Sequence, residues 1–98
     1  MVLNPTQRGI LEQLIDHTVK DMRVTVEFVR GDRYSKILKD KNGDDFVLGF
    51  VYGRIDSTFK ATFVATQNRL LSTEELLEIE NIIYNRMDEL KEAIFKCG

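Results

Sequence analysis

Residues 40–53 read DKNGDDFVLGFVYG, and the fold turns on how this run is parsed. Asn42-Gly43 is the pair that a type I′ hairpin turn favours, because both of its central residues need positive φ. Beyond it, Phe46, Leu48, Phe50 and Tyr52 alternate with Val47, Gly49, Val51 and Gly53, which is the period of a strand. With Asn42-Gly43 at the tip, Lys41 faces Asp44, Ile37 faces Leu48 and Ser35 faces Phe50. The same run places acidic and amide side chains at every second position, as a calcium loop does. Its glycine comes two residues early, however, and Val51 stands where the bidentate glutamate belongs, so no metal site is expected.

Two more turns extend the register outward. Gly31-Asp32 sets Val26 opposite Ile37, and Asp56-Ser57 sets Phe50 opposite Phe63. Residues directly across a ladder share a face, so the three registers test one another, and they agree. One face collects Val24, Val26, Phe28, Ile37, Phe46, Leu48, Phe50, Tyr52, Phe59, Ala61, Phe63 and Ala65. The competing parse makes Tyr34 to Lys39 a short helix, since Tyr34, Ile37 and Leu38 also fit helical spacing. The agreement of the registers favours the strand.

Helical periodicity occupies both ends. Asn4 caps, Pro5 fits the first helical position and Gln7 completes a capping box, after which Ile10, Leu11, Leu14, Ile15, Thr18, Val19 and Met22 form an apolar face. Ser72 and Glu75 form a second capping box, followed by Leu76, Ile79, Ile83, Met87, Leu90 and Ile94 in one long helix. The expected fold is α+β: an antiparallel four-stranded β-meander flanked by an N-terminal and a C-terminal helix, both packed on one face, in a single domain over residues 1–98.

Composition narrows the function. The 98 residues are 43% hydrophobic and 31% charged, with 14 basic and 16 acidic side chains and a net charge of −2. A dedicated nucleic-acid binder would show a strong basic excess. One cysteine, Cys97, allows no intrachain disulfide, which suits a reducing compartment. With no signal-peptide plan at the N-terminus and no apolar run long enough for a membrane span, a cytoplasmic location is expected. One histidine, His17, and one cysteine leave no zinc set, and no phosphate loop, nucleophile elbow or dinucleotide fingerprint occurs. No cofactor is expected, and no catalytic constellation supports enzyme activity.

What remains is the sheet face that two helices leave open. Val29, Tyr34, Leu38, Val47, Gly49, Val51, Gly53 and Val64 fall on it, an apolar set of the kind that marks an interface, with glycines that allow close backbone approach. The first expectation is therefore a small non-catalytic interaction module, a homodimer or a binder of a protein partner through that face. A second is a nucleic-acid-associated protein using Arg30, Arg33, Lys36, Lys39 and Lys60, since residues 30–41 carry a local basic excess around Tyr34. A third is a small-ligand pocket between Phe50, Tyr52, Phe63 and the helices.

Overall fold

The computed structural model describes residues 2–31, 34, 36–38 and 43–98, and among these it forms five α-helices and no strand. They are α1 (Pro5–Lys20), α2 (Met22–Val29), α3 (Asp44–Gln67), α4 (Thr73–Tyr84) and α5 (Met87–Phe95). The α+β meander is thus overturned, and each of its proposed strands needs a physical account.

The decisive element is α3, which takes in the alternating run and continues for 24 residues. Its buried positions are Val47, Val51, Ile55, Phe59 and Phe63, every fourth residue. Four residues turn about 40° past a full circle, so this row sweeps roughly 160° around the helix from one end to the other. That sweep lets α3 touch all four other helices. The row runs unbroken through Asp56-Ser57, where the third hairpin was expected, and Lys60 Nζ donates to Asp56 Oδ2 at 2.8 Å across one helical turn there. Thr62 and Thr66 donate back to the carbonyls of Thr58 and Thr62, the way a β-branched hydroxyl is accommodated in a helix.

Gly43 does adopt positive φ (57°), but as the N-cap of α3 and not within a hairpin. Asp44 and Asp45 then fill the first turn, where negative charge meets the positive end of the helix dipole. Asp40, Lys41 and Asn42, the rest of the expected tip, lie outside the described residues. Asn68, at φ 55°, stops the helix in the left-handed conformation.

Over Val24 to Phe28 the strand reading fails in the same way. Met22, Thr25, Val26 and Val29 are buried at helical spacing, whereas Val24 and Phe28 are exposed. At Tyr34 the amides of Ile37 and Leu38 both donate to its carbonyl, a single turn of helical type and not a strand ladder, and Ser35 lies outside the described residues. Lys39 lies outside the described residues.

The terminal helices follow their capping signals. Asn4 Oδ1 accepts from the Gln7 amide at 2.8 Å and Gln7 Oε1 accepts from the Asn4 amide at 3.0 Å. Ser72 and Glu75 close the second box. The expected single last helix is divided at Asn85-Arg86 into α4 and α5, whose Ile79, Ile83, Leu90 and Ile94 are buried. These side chains join Leu11 and Ile15 of α1, Leu3, Met22, Val26 and Val29 of α2 and the α3 row in one hydrophobic cluster. None of the helices described is long and apolar enough to cross a membrane.

Candidate functional site

Helix α3 decides where the expected interface residues go, because it places successive side chains about 100° apart, not on alternate faces. Val29, Val47 and Val51 are wholly buried and serve the core. Val64 and Leu38 are half-buried. Gly49 and Gly53 are exposed, and a Cβ at either would meet nothing within 4 Å. Only the glycines and Tyr34 are thus brought near one exposed surface.

That surface is aromatic, and three of its rings, Phe28, Phe46 and Phe50, belong to the core face of the expected sheet, whereas Tyr34 belongs to its open face. Phe28 of α2 packs against Phe50 of α3 with ring centroids 6.3 Å apart. Tyr34 bridges Phe28 at 5.9 Å and Phe46 at 5.8 Å. The four rings form a continuous patch, yet Phe28 remains 57% exposed and Phe46 39% exposed, with Val24 at 69% beside them. Along α3, Phe46, Phe50 and Arg54 form one row and Asp45, Gly49 and Gly53 the row next to it. From Phe46 to Gln67 the exposed positions of α3 carry a single charge, Arg54, in a chain that is 31% charged. Among the described residues neither Arg54 nor Asp45 forms an ion pair.

The patch continues into a groove of about 290 Å³ between α1, α2 and α3. Leu14, Val51 and Ile55 supply apolar walls, while His17, Asp21, Thr25, Arg54 and Thr58 add polar atoms. His17 is exposed at the border of α1. Apolar floor and polar rim together suit contact with another surface.

Of the expected nucleic-acid residues, Arg30 and Lys60 are held at separate points along α3. Arg30 donates to Asp44 Oδ1 at 2.7 Å and to the Gly98 carbonyl at 3.0 Å, anchoring the start of α3 and the last residue to α2. Lys60 is paired with Asp56 within α3. Lys36 is exposed, and Arg33 and Lys39 lie outside the described residues. The aromatic pocket does not form either. Phe50 faces α2, Phe63 is buried over three turns further along, and Tyr52 lies toward α4, where burial and then Glu80 raise its pKa.

The most perturbed carboxylates work in the framework. Glu75 is held to about 2, first by Arg69, which donates to both of its oxygens at 2.8 and 2.9 Å, and then by the Ser72 amide. Arg69 itself lies over the Phe63 ring at 4.9 Å. Glu78 is lowered by the Leu3 amide first, and the Val2 amide and Arg8 also bind it, so it ties the N-terminal segment to α4. Among the described residues no three His, Cys, Asp or Glu side chains gather as a metal set.

No protein-family model matches the chain, and comparison with curated proteins and with solved structures gives no match.

Proposed function

We propose that this protein is a non-catalytic interaction module that self-associates through the exposed face of α2 and α3. The observation that carries the reading is the continuous patch of Phe28, Tyr34, Phe46 and Phe50, with Val24 beside it and an almost uncharged helix surface running on from it. An exposed aromatic ring keeps apolar area in water, and covering such area is worth about 25 cal/mol per Å². Charge depletion at the centre of a patch, with aromatics enriched, is the composition of an interface core.

Light scattering and small-angle X-ray scattering over a wide concentration range test this. The expected outcome is a mass that rises from monomer toward dimer, with the rise weakened by Phe28→Ser, a substitution at a half-exposed side chain that leaves the buried core intact. A monomeric mass at the highest concentrations rejects the proposal.

A further inference from the structure

We infer that the groove between α1, α2 and α3 binds a free α-amino acid with an apolar side chain, its carboxylate on Arg54, its ammonium on Asp21 and one of its polar atoms on the Thr25 hydroxyl. The site lies beside the contact face proposed above and does not depend on it. Thr25 is the residue that points to a ligand. It is only 8% exposed, and its hydroxyl has no hydrogen-bond partner among the described residues, yet it lines the groove. Burying a hydroxyl without a partner costs free energy, which a ligand's polar atom returns. Thr18, Thr62 and Thr66 show the usual alternative, each donating back to a carbonyl of its own helix. Thr25 on the α2 wall and Thr58 on the α3 wall make no such bond, so both hydroxyls are left to face the groove.

Asp21 and Arg54 set the charge of that ligand. Both line the groove, and both continue into the adjoining space beside Val24, Phe28 and Phe50. Among the described residues neither forms an ion pair, so they stand too far apart to neutralise each other. Asp21 occupies the N-cap of α2, but its side chain caps no amide. Apart from His17, the ionisable groups of the lining are this one cation and this one anion. A carboxylate without an amine would gain Arg54 and be opposed by Asp21, and an amine without a carboxylate would meet the reverse. A zwitterion satisfies both. Leu14, Val51 and Ile55 offer its side chain an apolar wall. At about 290 Å³ the groove is at the small end of ligand sites, which suits an amino acid better than a nucleotide.

Two-dimensional proton–nitrogen NMR of the full chain tests this, at a concentration where light scattering gives a monomer, so that self-association neither supplies nor masks the signal. The titrants are L-leucine, L-valine and L-phenylalanine. Saturable shifts are expected at the Thr25 amide and the Arg54 side chain. Isocaproate, which is leucine without its ammonium, and isoamylamine, which is leucine without its carboxylate, are each expected to bind about tenfold or more weakly than leucine. Arg54→Gln and Asp21→Asn, both at exposed positions, should raise the leucine Kd by about the same factor. Thr25→Val keeps the shape of the side chain and removes only the unpartnered hydroxyl. Thermal stability of the free chain should therefore hold or rise while the leucine Kd increases about threefold or more. No saturable shift from any of the three amino acids, isocaproate binding as tightly as leucine, or an unchanged Kd in Arg54→Gln or Asp21→Asn each overturns the proposal. A Thr25→Val chain that loses stability and keeps its affinity makes the hydroxyl structural and overturns it as well.

Discussion

At the scale of single residues, Glu75 shows how a surface-coded signal becomes structural. The sequence marks it as the third residue after a capping serine. In the fold it also takes both arms of Arg69, whose guanidinium covers the Phe63 ring at the end of the core row. Its pKa is lowered from 4.5 to about 2, so the folded state favours the ionised form. The stability this contributes is complete above about pH 4.5 and is lost as pH falls through that value toward about 2. Glu75→Gln should therefore be less stable than the natural chain at neutral pH, with the gap closing over that window. Denaturant midpoints from neutral pH to about 2 check this, and a gap constant with pH would rule out the Arg69–Glu75 pair as its source. The capping half of this arrangement is legible in the sequence. The Arg69 half is not, because nothing local says that Asn68 will turn the chain back so that Arg69 reaches Glu75.

At the scale of elements, the first half of α3 resembles a strand in its sequence for a definable reason. Phe, Val, Tyr and Thr favour strands, yet that preference reflects packing on a pleated surface more than the backbone itself. The alternation of Phe46 to Gly53 is real, but it ends where Arg54 begins. The row Val47, Val51, Ile55, Phe59, Phe63 runs on for four helical steps with no proline among them, a longer pattern than the eight-residue alternation. Far-UV circular dichroism should show the paired minima of a helical protein and no sheet spectrum. Phe59 sits at the middle of the segment and is fully buried, so Phe59→Ala should cost about 3–5 kcal/mol by leaving a cavity. Ser72→Ala should cost about 1 kcal/mol, the worth of one capping side chain. Urea titrations separate the two, and similar losses would mean that α3 is not the spine of the core.

At the scale of the whole molecule, α3 sets the 40 Å long dimension, since 24 helical residues span about 36 Å, and the other helices lie against it within 22 × 19 Å. One side chain joins the two ends of the chain around it. Arg86, at the break between α4 and α5, donates to the Glu12 carbonyl at 3.1 Å, pairs with Asp16 at 2.6 Å and with Glu89 at 2.7 Å. Glu89 is the first cause of its raised pKa. Arg86→Ala should destabilise by about 1–2 kcal/mol, a modest loss because the facing carboxylates are half-exposed. Arg86→Lys should recover little, since an ammonium cannot reproduce the forked contact, and full recovery by lysine would reduce the network to simple charge. The sequence by itself determined what is local: two capping boxes and the apolar stripes of the terminal helices. It also placed Gly49 and Gly53 on an open face, though of a sheet that the described residues do not form. Only the tertiary structure decided between strand and helix in the middle third, because that run satisfies both periods over eight residues and only packing against four other helices selects one. The same choice sent Val47 and Val51 inward and left Phe28 and Phe46 in water. The exposed aromatic face is thus a consequence of the fold, set by which side of α3 the core covers.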